Sequence, residues 1–198
     1  MRFKTLALSI ALFACTKEPE GPPPSRFQGV KSERATSAAQ SFCEKTFPAT
    51  GDGARKWSPP PERPVPGKQG AEQGPKDGWT WVNLWASWCG PCVKEMPLLG
   101  RWGTSLVRDG IPIRYEFWTI DEEQAELEKA LQRTIPGQVR WLRNGTDLPA
   151  FLEGLGVAKD SAIPVHALVD PKGMVRCVRV GSVSEEAFGS IKTILQGT

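Results

Sequence analysis

The sequence predicts an α/β fold, with a central mixed β-sheet and helices on both of its faces. Three observations lead to it. From Trp79 onward, short aromatic and β-branched runs alternate with stretches of helical periodicity. Two of those runs, V-H-A-L-V-D from Val165 and M-V-R-C-V-R-V from Met174, are joined by D-P-K-G, a tight hairpin turn. The resulting order is strand, helix, strand, helix, hairpin, helix.

Residues 1–14 place Arg2 and Lys4 ahead of a short apolar run that ends at a small residue. This is the pattern of a secretory signal peptide, too short to span a bilayer as a helix. Cys15 follows, and L-F-A-C resembles the lipobox of bacterial lipoproteins, in which the cysteine is acylated and becomes the mature N-terminus. The competing reading is an ordinary signal peptide followed by a passenger thiol. Residues 15–32 read as a tether, because T-K-E-P-E-G-P-P-P-S-R offers proline and charge but nothing apolar to bury. The expectation is an extracytoplasmic protein held to a bacterial membrane by lipid at Cys15.

Residues 33–78 form an N-terminal extension. Ala35, Ala38, Ala39 and Phe42 recur at helical spacing, so a short helix is predicted to end near Cys43. Residues 48–78 are dominated by Pro, Gly and charge and read as irregular, with a short edge strand near Trp57 or Val65. The main domain, 79–198, opens on W-T-W-V-N-L-W-A, a buried strand. V-K-E-M-P-L-L-G-R-W continues as a helix kinked at Pro97. A second strand starts at Ile113, and a helix over 121–133 has acids in its first turn and Arg133 in its last. A short strand over 138–142 and a short helix over 147–155 precede the hairpin. Residues 184–195 close the chain as a helix with Ser184 as N-cap. Trp79, Trp81, Trp85, Trp102, Trp118 and Trp141 are predicted to pack in the core or at its rim.

The charge balance excludes one function class. The chain has 25 Lys+Arg and 22 Asp+Glu, and two of the basic residues lie in the signal segment. No basic run interleaved with aromatics is present, so no nucleic-acid surface is expected. The five cysteines say more. With Cys15 assigned to lipid, four thiols in an oxidising compartment suggest two pairs. Cys89 and Cys92 are the local pair. Cys43 and Cys177 are then either a structural disulfide, contributing roughly 4–5 kcal/mol in the chain-entropy view, or two buried free thiols.

Cys89 and Cys92 sit in W-C-G-P-C, between a strand and a helix. Pro91 suits the first helical position. Cys89 then lies at the helix N-terminus, where free N–H groups and the dipole favour a thiolate. Cys92 falls in the same turn, at a Cα separation of roughly 5–6 Å that a disulfide can close. Cys89 is expected to be the exposed attacking thiol and Cys92 the shielded resolving one.

Strand, W-C-G-P-C, helix and a later I-P before a strand resemble the thioredoxin superfamily, from Trp79 to the C-terminus. V-N-L-W-A-S-W-C-G-P-C-V-K-E-M-P most resembles its membrane-tethered TlpA/ResA branch. The resemblance implies a thioredoxin fold and a cis proline at Pro164. Pro164 would set the Ile163 backbone against a substrate chain, with Trp88, Gly90 and Pro91 completing the contact surface. Gly181 matches a family glycine. Asn83 stands where cytoplasmic thioredoxins have a buried Asp. Glu95 corresponds to a family Glu and would exchange a proton with Cys92; the other reading is a solvated helix-face Glu.

The implied activity is a thiol–disulfide oxidoreductase reducing protein disulfides, in cytochrome c maturation or disulfide repair. Its partners would be disulfide-bearing proteins such as apocytochrome c and a membrane thiol carrier of the DsbD/CcdA kind as electron donor. A monomer without cofactor or metal is expected. A thiol oxidase uses the same motif with the opposite electron flow, and an isomerase uses it with no net flow. A copper chaperone of the Sco type shares the fold, but uses C-x-x-x-C with a distant His; here the spacing is shorter and His166 is the only histidine. A four-cysteine zinc clip would need Cys43 and Cys177, isolated in the sequence, to join the pair, and is the less favoured reading. Val93 stands where a c-type haem site needs His, and no peroxidatic T-x-x-C is present.

Overall fold

The computed structural model describes residues 26–67, 74–75 and 77–197. The signal segment 1–14, Cys15 and the tether up to residue 25 lie outside the described residues. Among those described, no helix is long and apolar enough to cross a membrane.

Eight strands build one sheet: β1 (Lys45–Thr46), β2 (Arg55–Lys56), β3 (Glu62–Arg63), β4 (Trp79–Trp85), β5 (Ile113–Thr119), β6 (Gln138–Leu142), β7 (Val165–Val169) and β8 (Met174–Val180). Their order is β1-β8-β7-β4-β5-β6-β3, with β2 also on β8. Strands β4, β5 and β6 run parallel, whereas β7 is antiparallel to β4 and β8 to β7. The sheet is therefore mixed, as the order of elements predicts. Among the described residues, five α-helices pack around it: α1 (Arg26–Phe42), α2 (Gly90–Arg108), α3 (Gln124–Ala130), α4 (Leu148–Leu155) and α5 (Phe188–Gln196).

Strand β4 explains how the site is held. All seven of its residues are buried, as expected of a central strand covered on both faces. Its two-residue period splits it between two cores. Trp79, Trp81 and Trp85 join Leu99, Trp102 and Leu106 of α2 and Ile191 and Ile194 of α5. Val82 and Leu84 face the other way, onto Phe151, Leu152 and Leu155 of α4. The six tryptophans expected in the core are all there.

Four boundaries differ from the sequence reading. Helix α1 begins at Arg26, inside the predicted tether. The small residues Ala35, Ala38 and Ala39 bring it close to α5: Ser41 and Ser190 hydroxyls meet at 3.1 Å, and a side chain at Gly197 would collide with Ala35. Once docked, the helix extends toward its N-terminus through a stretch free of proline. Helix α3 is shorter than 121–133, because the Asp121 carboxylate is committed to the loop before Cys89. The helices predicted over 147–155 and 184–195 each open with a 3-10 turn, Gly145–Asp147 and Glu185–Ala187. Ser184 caps no backbone N–H, since its hydroxyl donates to the Glu186 carboxylate instead.

The extension does more than the irregular reading implies. It supplies a strand on each side of Trp57: β2 pairs with β8, and β3 with β6, at opposite borders of the sheet. Trp57 itself packs edge-on against Trp118 at 6.3 Å and against Phe151 at 5.5 Å.

Candidate active site: a dithiol at a helix N-terminus

Beyond Trp85 the chain leaves the sheet and must be held before it can start a helix. Asp121, just after β5, does this. Its carboxylate accepts the Ser87 N–H at 3.0 Å and the Ser87 hydroxyl at 2.6 Å, and Thr119 donates to it as well. Cys89 is the N-cap of α2, with extended backbone, and its sulfur accepts the Cys92 N–H at 3.3 Å. Pro91 occupies the second helical position, one later than the sequence reading, still in the turn whose N–H groups need no intrahelical partner.

Cys89 and Cys92 are joined, with Cα atoms 5.3 Å apart. Cys89 is 5% exposed and Cys92 1%. The expectation of an exposed Cys89 is thus corrected: in the disulfide state both sulfurs are covered, and they differ only slightly. The cover is the turn before β7. Cys89 Sγ lies 4.0 Å from Ile163 O, and the Ile163–Pro164 peptide is cis. Gly181, at φ +95°, donates its N–H to Pro164 O at 2.8 Å and so fixes that turn from β8. Trp88, 66% exposed, stands beside the disulfide with exposed Gly90 and Pro91. The structure thus brings Trp88, Cys89, Gly90, Pro91, Cys92, Ile163 and Pro164 to one end of the sheet.

Glu95 is not a solvated helix-face residue. It is 4% exposed, and its oxygens accept the Asn83 amide at 3.2 Å and the Val183 N–H at 3.0 Å. His166, 1% exposed, accepts the Trp81 indole N–H at 3.1 Å. The strand register explains the group: Asn83 on β4 lies opposite His166 on β7, on one face of the sheet. Elsewhere, Cys43 and Cys177 are joined with Cα atoms 5.5 Å apart, tying the end of α1 to β8. Among the described residues, no three His, Cys, Asp or Glu side chains converge as a metal-binding group.

Sequence reasoning missed Asp121 as the anchor of the Ser87 loop, reading it only as an acid in the first turn of a helix. It also missed a groove of about 270 Å³ beside Trp88, lined by Ile120, Glu122, Glu123, Glu126 and Leu148. The acids were visible as a run; their closeness to Trp88 depends on how β5 and β4 align.

No protein-family model matches the chain. It is 22% identical over 125 residues to the thioredoxin-like protein YneN of Bacillus subtilis, covering 61% of this chain and 66% of that protein, just under two thirds of its length. Among solved structures, a Chlorobium tepidum protein assigned as thiol:disulfide interchange protein DsbE superposes with a TM-score of 0.50 at 21% identity, over 62% of this chain and 81% of that one. A thioredoxin-related protein from Neisseria meningitidis gives a TM-score of 0.49 at 23% identity, covering 61% and 86%. The chain has a thioredoxin-like fold.

Proposed function

We propose that this protein is a thiol–disulfide oxidoreductase that reduces protein disulfides outside the cytoplasm. The observation that carries the reading is the Cys89–Cys92 pair at the N-terminus of α2, packed against the Ile163–Pro164 turn. That placement gives a thiolate its stabilising N–H groups and sets the Ile163 carbonyl beside the attacking sulfur of Cys89.

In the reduced state, the Cys89 thiolate attacks one sulfur of a client disulfide, and the other client sulfur leaves as a thiolate. Cys92 then gives its proton to Glu95 and attacks Cys89, forming the Cys89–Cys92 bond and releasing the second client sulfur with its electron pair. The client is thereby reduced and the enzyme oxidised. Trp88, Gly90, Pro91, Ile163 and Pro164 form the surface on which the client segment lies.

The rest of the reading follows from the sequence. Cys15 carries lipid, the clients are disulfide-bearing proteins of the kind apocytochrome c represents, and a membrane thiol carrier of the DsbD/CcdA kind returns the electrons. The deciding measurement is the reduction potential of the Cys89–Cys92 pair. A value near that of thioredoxin, roughly −270 mV, supports a reductant, and one near that of DsbA, roughly −120 mV, reverses the electron flow. Loss of disulfide reduction in Cys89→Ser is expected; full activity in that variant overturns the assignment. Absence of acyl groups on Cys15 in the purified protein overturns the anchor.

A further inference from the structure

We propose that His166 is a positioning residue for Glu95, held by the indole of Trp81 in the one neutral tautomer that turns an N–H toward the carboxylate. The proposal rests on the proton exchange between Glu95 and Cys92 in the reading above.

The argument starts from donors. An indole N–H can only donate, and that of Trp81 meets His166 Nδ1 at 3.1 Å. The Asn83 amide nitrogen lies 3.1 Å from the same atom. Nδ1 therefore presents a lone pair, which leaves the ring proton on Nε2. Nε2 lies 3.3 Å from Glu95 Oε1, within contact but short of hydrogen-bond alignment, and has no other partner. A charged ring would set an Nδ1–H against the indole N–H, so His166 acts as a neutral donor for as long as the Trp81 bond stands.

The three groups facing the Glu95 carboxylate are all donors: Asn83 Nδ2, the Val183 N–H and His166 Nε2. Two of them bind one oxygen each, and His166 approaches the oxygen that Asn83 already holds. The nearest cation by strand register is Arg179, opposite His166 on β8, but its guanidinium turns away to Phe42 O and Ser182 O. On α2, Cys92 lies one turn before Glu95. When Cys92 loses its proton to Glu95, the number of donors the carboxyl group can use changes, and the loosely aligned Nε2–H is the one free to adjust. Without it, the carboxylate keeps its contacts to Asn83 and Val183 but loses the one donor free to follow its change of protonation.

A two-step thiol assay tests this in protein reduced at Cys89 and Cys92 with the Cys43–Cys177 bridge intact. Dithiobis-nitrobenzoate releases one aromatic thiol when Cys89 attacks and a second when Cys92 resolves the adduct. Glu95→Gln is expected to slow the second release by roughly tenfold or more. His166→Leu should slow the second release comparably and leave the first unchanged. His166→Gln, whose amide nitrogen reaches the place of Nε2, should recover most of the loss. The double variant Glu95→Gln/His166→Leu should be no slower than Glu95→Gln alone. Since His166 is the only histidine, its ring-nitrogen chemical shifts report the tautomer directly: an Nε2–H pattern is expected, and Trp81→Phe should lose it.

An Nδ1–H pattern in the unmutated protein overturns the proposal, even if His166→Leu does not fold. So does a His166→Leu variant that resolves at the normal rate while Glu95→Gln is slow, or one that slows both releases equally. If Glu95→Gln itself resolves at the normal rate, the proton-exchange reading fails, and the role of His166 falls with it.

Discussion

Ser87 gives both its backbone N–H and its hydroxyl to the carboxylate of Asp121, at 3.0 and 2.6 Å. The two residues are 34 positions apart, yet this contact fixes the loop that carries Trp88 and Cys89. Asp121→Ala leaves both Ser87 donors without their acceptor. It is expected to destabilise the fold by about 1–3 kcal/mol and to slow the attack of Cys89 on an aromatic disulfide. Asp121→Asn should lose less, and urea titration with thiol kinetics checks both.

The bridge between Cys43 and Cys177 joins positions 134 apart in sequence and holds α1 against β8. The double variant Cys43→Ala/Cys177→Ala should lose about 2–4 kcal/mol. Cys177 lies two strands from β4, level with Trp81, whereas the Cys89–Cys92 pair follows the far end of β4, so its reduction potential should stay unchanged. A shared loss of stability and potential would show the bridge to be coupled to the site.

Gly181 combines φ +95° with the N–H that holds Pro164 O. A Cβ there meets no neighbour, so the cost of Gly181→Ala is that of the backbone alone, about 1 kcal/mol. The expected result is a small fall in the urea midpoint and a larger fall in the rate of client reduction, because the Ile163–Pro164 turn shifts over Cys89. Unchanged reduction would detach Gly181 from the site.

Asp109 at the end of α2 accepts from Lys192 of α5 at 2.8 Å. That hydrogen bond holds its carboxyl below the ordinary value of 3.8. A carboxylate lowered in the folded state contributes stability above its unfolded value, and that contribution is lost as pH falls through the folded one. Asp109→Asn should therefore be slightly less stable than the parent at neutral pH, and the gap should close in strong acid. Denaturation midpoints measured in the two conditions decide it.

The parts of the fold legible in the sequence were those written in periodicity. W-T-W-V-N-L-W, the D-P-K-G hairpin and the helix after Pro91 all fall where the pattern puts them, since the core itself imposes that pattern. The start of α1 was not legible, because residues 30–34 are exposed and carry no periodic signal. At the site, C-G-P-C and the Ile-Pro were readable as motifs, but Glu95 was not: a single Glu on a helix reads the same whether it faces water or Asn83. Its surroundings come from the register between β4 and β7, which pairs residues 83 apart. Asp121 was hidden for the same reason, with its partner Ser87 in the loop after another strand.

Strands β2 and β3 lie at opposite borders of the sheet, yet only residues 57–61, with three consecutive prolines, separate them. A single strap thus fastens both margins. Each margin ends in a two-residue strand, too short to template the addition of a neighbouring chain. One cut in that strap would loosen both sides together, but β1 and the Cys43–Cys177 bridge would still cover part of β8, so a nicked molecule would open its ladder at β6 and become prone to association there while its dithiol was still intact.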